Sequence, residues 1–131
     1  MVSTLKRKLI LFTALAIGIL TIFTGCEKRI MFVSDNIGNN ISAKYRYFDG
    51  DEGKTIYSKD NDKINIEYDV TVDKGKLIIK LEDKDDNVIW EKDFSENEKS
   101  NVTLDIEKDK KYRLTIIGEE TKGKYNIKLD K

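Results

Sequence analysis

The chain has 131 residues, 24 of them basic and 24 acidic, with one cysteine, no histidine and no proline. The missing imidazole excludes His-based acid–base catalysis and His-ligated metals, and a lone cysteine excludes an internal disulfide or a cysteine zinc site. The charges are interspersed rather than blocked, as on a solvated surface, and without proline the turns must rely on Gly, Asn and Asp.

The first predicted element is a leader. Lys6, Arg7 and Lys8 open it, an uncharged run of 17 residues follows from Leu9 to Gly25, and Phe23-Thr24-Gly25 leads into Cys26. This is the order of a basic n-region, an apolar h-region and a small-residue cleavage site. A stable span needs about 20 apolar residues, so the run suits export better than permanent residence in a bilayer. The cations stay on the cytoplasmic side and the rest of the chain is sent outward. Residues 5–26 resemble the signal of bacterial membrane lipoproteins, in which an aliphatic residue, a small or polar one, and then Gly or Ala precede the cysteine. Thr24 and Gly25 fit that pattern, and Phe23 stands where Leu is most common. The resemblance implies cleavage between Gly25 and Cys26 and a diacylglyceryl thioether, with palmitate-type chains, on the Cys26 sulfur. Two or three chains anchor stably at about 0.8 kcal/mol per buried CH₂, where one alone is marginal. The membrane partner is then lipid, engaged through Cys26, and the location is the extracytoplasmic face of a bacterial membrane. The other reading, an uncleaved signal anchor, leaves the C-terminal part on the same side.

The leader takes three of the 24 basic residues and no acidic ones, so the 106 residues after it carry a net charge of −3. That is room for one domain, and the acidic balance argues against a nucleic-acid partner. The richness in Lys, Ile, Asn and Asp resembles the composition of AT-rich Gram-positive bacteria. Residues 26–42 read as a lipidated N-terminus and flexible tether, because Ser34, Asp35, Asn36, Gly38, Asn39 and Asn40 form a row of turn formers. A coil of that length spans roughly 20–25 Å. Within it, Ile30-Met31-Phe32-Val33 is either a short strand or a segment lying on the membrane surface.

Residues 43–131 alternate apolar and polar side chains with period two, the mark of half-buried strands. Lys44–Phe48 and Lys54–Ser58 are two expected strands, joined by Asp49-Gly50-Asp51-Glu52-Gly53. Ile64, Ile66, Tyr68, Val70 and Val72 make the clearest strand. Asp73-Lys74-Gly75-Lys76 reads as a hairpin turn, with Leu77, Ile79 and Leu81 on the return. Asp83–Asn87 is the next turn. Val88, Trp90 and Phe94, then Val102, Leu104 and Ile106, line two more strands. Tyr112, Leu114 and Ile116 are separated from Tyr125, Ile127 and Leu129 by an expected loop from Gly118 to Gly123. The expectation is all-β: a small antiparallel β-sandwich, jelly-roll or Ig-like, of seven to eight strands, preceded by an N-terminal signal helix and the tether.

Tyr112-Arg113-Leu114-Thr115-Ile116-Ile117-Gly118, followed by Gly123-Lys124-Tyr125-Asn126-Ile127, looks like the last hairpin of small jelly-roll sandwiches appended to secreted bacterial proteins. The pre-peptidase C-terminal modules are one example. The resemblance implies a binding or accessory module rather than an enzyme.

Three groups are candidate sites. Tyr45, Tyr47 and Tyr57 are a possible exposed aromatic patch for sugar rings, whereas Trp90 shares parity with Val88 and Phe94 and belongs in the core. Asp83, Asp85 and Asn87 alternate as oxygen ligands do at the start of a calcium loop, but Val88 stands where glycine is expected and no Glu closes the site, so the expectation is an acidic hairpin turn, with a calcium loop as the lesser alternative. Asp49, Asp51 and Glu52 are paired carboxylates of the kind glycoside hydrolysis uses, or a solvated loop. Ile89 and Ile117 lie on the faces opposite their strands' core residues. No metal and no cofactor is expected.

The expected function is non-catalytic: a membrane-anchored lipoprotein whose extracytoplasmic sandwich binds a protein or glycan of the cell envelope. An inhibitor or accessory subunit of an envelope or secreted enzyme is the alternative. A small carboxylate-dependent hydrolase is the second.

Overall fold

The computed structural model describes residues 27–131. The leader, its cleavage site at Gly25 and the lipid attachment site at Cys26 lie outside the described residues. Seven antiparallel strands follow one another: β1 (Lys28–Ile30), β2 (Val33–Ile37), β3 (Asn40–Tyr57), β4 (Lys63–Asp83), β5 (Val88–Phe94), β6 (Glu98–Asp105) and β7 (Lys111–Asp130). No helix among the described residues is long and apolar enough to cross a membrane.

Three of these strands are far longer than the usual five or six residues. β3 has 18 residues, β4 has 21 and β7 has 20. Each crosses from one layer of the sandwich to the other. In the first layer, β7 residues 123–130 lie between β3 residues 40–45 and β4 residues 65–72, with β2 and β6 at the margins. In the second, β7 residues 112–119 lie between β3 residues 50–56 and β4 residues 76–83, with β1 and β5 outside. The corners fall where the register slips: between Tyr45 and Gly50 on β3, and between Val72 and Lys76 on β4. Bulges bend a strand and increase its twist, which is how one ribbon turns into a second layer. On β7 the corner is Gly123, whose φ of 152° and whose approach to the Thr71 carbonyl leave no space for a Cβ.

This corrects three expected turns. Asp49–Gly53, Asp73–Lys76 and Gly118–Gly123 do not separate strands; each lies within a single strand, near its corner. The C-terminal "hairpin" is accordingly one strand, β7. The turn formers bend the strand instead of ending it, and the ladder continues through them because both neighbours bend at the same level. The Asp83–Asn87 turn joins β4 to β5 as expected.

The tether is also replaced, over its described part, by structure. β1 pairs with Asp49, Phe48 and Tyr47, and β2 pairs with β3 from Lys44 to Asn40. Phe32, between them, has its ring 5.8 Å from Tyr45 and 5.1 Å from Phe48. The Arg29 guanidinium lies 4.7 Å from the Phe32 ring and pairs with Glu27 and Glu52. The sandwich therefore starts at Lys28 and not at Ala43.

The core follows the period-two pattern. Ile64, Ile66, Tyr68, Val70 and Val72 are buried, as are Leu77, Ile79 and Leu81, Leu114 and Ile116, and Tyr125, Ile127 and Leu129. Tyr68 of the first layer meets Trp90 and Phe94 of the second at 6.0 and 5.3 Å between ring centroids. Cations close both flanks. Lys54 reaches from the second layer to Asn36 and the Gly38 carbonyl, and Lys92 pairs with Glu98 at 3.2 Å.

Candidate binding face

The residues that alternate with the core form the outer face of the first layer. With Ile41, Ala43, Tyr125, Ile127, Tyr68 and Val70 turned inward, Ser42, Asn126 and Asp69 must point out. Register then assembles rows across the strands. Asp35 stands opposite Ser42, Ser42 opposite Asn126, Asn126 opposite Asp69, and Asp69 opposite Lys99, one row through five strands. A second row runs Ile37, Asn40, Lys128, Glu67, Asn101. A third runs Val33, Lys44, Lys124, Thr71.

Two depressions open on this face, of about 350 and 410 Å³, and both are lined by Asp69 and Asn126. Lys44, Lys124 and Asp35 lie in the first; Asn40, Glu67, Lys99 and Lys128 lie in the second. Asn126, Asp69, Lys124 and Lys128 are exposed. An amide beside a carboxylate offers donors and acceptors together, which is what neighbouring hydroxyl groups require; the lysines add donors and positive charge.

The tyrosines expected as a ligand patch do not come together. Tyr45 is buried in the core, 4% exposed, and burial pushes its phenol up to about 12, with the neighbouring Thr121 hydroxyl opposing part of the shift. Tyr47 is half-buried beside the corner of β3. Tyr57, at the far end of β3, donates its hydroxyl to Asp109 at 3.3 Å. Tyr45 is inward because it alternates in phase with Ile41 and Ala43; the bulge after it then takes Tyr47 out of that phase and turns Phe48 into the core. Trp90 is half-buried against the core, as its parity implied, but Val88, assigned to the same inward set, is exposed at 51% because the β4–β5 register slips at Leu81.

Asp83, Asp85 and Asn87 form a self-contained turn. One Asp83 oxygen accepts the backbone N–H groups of Asp85 and Asn87, each at 2.9 Å, and the other accepts the Asn87 side-chain amide at 3.0 Å. These bonds, the Asn87 backbone bond foremost, hold the Asp83 carboxyl below its usual range. Its oxygens are thus engaged within the turn. Among the described residues no group of three or more His, Cys, Asp or Glu is arranged to hold a metal ion. A depression of about 450 Å³ at this end has Asp83, Asp85, Asp105 and Glu107 among its walls. A general acid working near neutral pH needs a raised pKa, and Asp83 is shifted the other way. In the other acidic stretch, Glu52 pairs with Arg29, and the Asp51 carbonyl accepts from the same guanidinium at 2.7 Å. Those groups fix β1 in place. Ile89 is exposed at 36%, while Ile117 is half-buried in the middle of its layer.

No family model and no curated protein matches the chain. Solved structures with similar backbones include a carbohydrate-binding module from Cellvibrio mixtus lichenase 5A in complex with cellotriose. It is 13% identical, with 80% of this chain and 88% of that one covered and a TM-score of 0.48. A family 35 carbohydrate-binding module from Clostridium thermocellum is 8% identical over 79% of this chain and 88% of its own, with a TM-score of 0.49. A secreted serine protease, VesC from Vibrio cholerae, is 10% identical over 72% of this chain and 21% of its own, with a TM-score of 0.46. Likenesses of this strength carry nothing over about ligand or activity.

Proposed function

We propose that this chain is a lipid-anchored, non-catalytic binding protein of the bacterial cell envelope, and that the outer face of its first layer takes up an envelope glycan. The row of Asp35, Ser42, Asn126, Asp69 and Lys99 carries the reading, because it places hydroxyl, amide, carboxylate and ammonium groups side by side over two adjoining depressions. The anchor reading is supported by the order of charges, apolar run and Thr24-Gly25-Cys26 in the leader. A tethered module works at high local concentration, so a weak site on a polar face is sufficient.

The test is binding of the full-length protein to cell-wall glycan purified from the producing bacterium. Asp69→Ala combined with Asn126→Ala should weaken binding roughly 10- to 100-fold, as expected for losing two hydrogen bonds of which one is charged, and leave the circular dichroism spectrum unchanged. Undiminished binding by the double variant would reject this face. In cells, Cys26→Ser should abolish fatty-acid labelling and leave the precursor unprocessed; continued labelling would reject the anchor.

A further inference from the structure

The N-terminal edge of the sandwich is unusually apolar for a surface. Ile30 is 53% exposed, Met31 70%, Val33 72% and Ile37 70%, and they follow one another along the edge that β1 and β2 form against β3. Scattered exposed apolar residues need no explanation, but four on one edge mark an interaction surface. Exposed large hydrophobics elsewhere in the described residues are fewer: the adjacent Val88 and Ile89 on β5, and Tyr57 at the end of β3.

Chain geometry limits what can cover this edge. Lys28, two residues after Cys26, is already paired with Asp49. Two residues span at most about 7 Å, and the four from Cys26 to Ile30 about 14 Å. A lipidated Cys26 therefore leaves no slack for a stalk, and β1 must stand at the level of the headgroups. An apolar surface held there enters the interface to a depth of about 5–10 Å. Lys28, on β1, and Lys44, directly opposite Val33, are exposed cations on the same margin against one exposed carboxylate on β2, Asp35, a balance that suits anionic headgroups.

We propose that the edge bearing Ile30, Met31, Val33 and Ile37 rests in the headgroup region of the membrane, holding the sandwich against the bilayer. This rests on the reading of Cys26 as lipidated. The binding face then stands upright, with Asp35, between Val33 and Ile37 on β2, at the headgroup level, Ser42, Asn126 and Asp69 above it, and the β6 margin, at Lys99 and Asn101, turned away.

The experiment uses the full-length protein, matured in a bacterium and reconstituted in phosphatidylglycerol–phosphatidylethanolamine vesicles. Val33→Cys carries a polarity-sensitive fluorophore, and Thr103→Cys, exposed on β6, serves as the control. Intact mass reports the state of Cys26. The expected result is a blue-shifted label at position 33, quenched by aqueous iodide roughly three-fold less than the label at 103, as interfacial burial requires. Equal quenching at the two positions on a lipidated protein overturns the docked edge and leaves the anchor standing. An unmodified Cys26 overturns both. A label shielded in intact cells but not in vesicles shows a protein covering the edge and also overturns the proposal.

Discussion

Tyr45 shows what one residue can settle. Its ring is stacked near Phe32 and tilted against Phe48 and Tyr125, and its hydroxyl is buried beside that of Thr121, neither oxygen making a hydrogen bond of ordinary geometry. Such a hydroxyl carries a desolvation cost that no full hydrogen bond offsets, so Tyr45→Phe should stabilise the protein at neutral pH by about 1 kcal/mol. In alkali the two proteins should separate further. The folded phenol holds its proton up to about 12, whereas the unfolded one releases it near 10. Between those values the unfolded chain binds fewer protons, and stability falls as pH rises. Urea midpoints across this range should decline more steeply for the wild type than for Tyr45→Phe. Some decline persists in the variant, because Tyr125 is buried and raised as well. Equal slopes would show that Tyr45 is not sequestered in the fold.

At the scale of the element, the corners decide the architecture. Gly123→Ala would drive a methyl into the Thr71 carbonyl at a φ of 152°, and should cost about 3 kcal/mol or more. Gly38, in the β2–β3 turn, also has a positive φ but open space around it, so Gly38→Ala should cost only about 1 kcal/mol. Chemical denaturation of the two variants checks the contrast, and equal losses would argue against a tight corner at Gly123. These corners also show where the sequence was legible. The alternation of Ile64 through Val72 and of Tyr125 through Leu129 announced both the strands and their buried faces. It did not reveal that β4 and β7 continue past Gly75 and Gly118, because a bend and a turn use the same residues. The polar face was half legible. Parity alone turns Asp69 and Asn126 outward, but their adjacency depends on β4 and β7 being neighbours, a long-range pairing that no local pattern encodes. Tyr45 was legible, since it shares parity with Ile41 and Ala43; what no residue type announces is the bulge after it, which turns Phe48 inward in place of Tyr47.

For the whole molecule, the shared strands make the two layers one cooperative unit. Neither can melt while β3, β4 and β7 hold the other, so probes of each should lose signal together. Trp90 sits against Tyr68 across the interior, and its fluorescence should follow the same denaturant curve as the far-ultraviolet dichroism of the strands. Two separated transitions would mean that the layers are independent.

One consequence belongs to the order of synthesis. β7 is flanked by β3 and β4 along nearly its whole length, yet it follows every other strand among the described residues. A polypeptide emerging from the ribosome has β3 and β4 but lacks the ribbon that lies between them, and so has no interior to close. A chain exported as proposed would reach the translocation channel still unstructured, with folding deferred to the far side by topology alone.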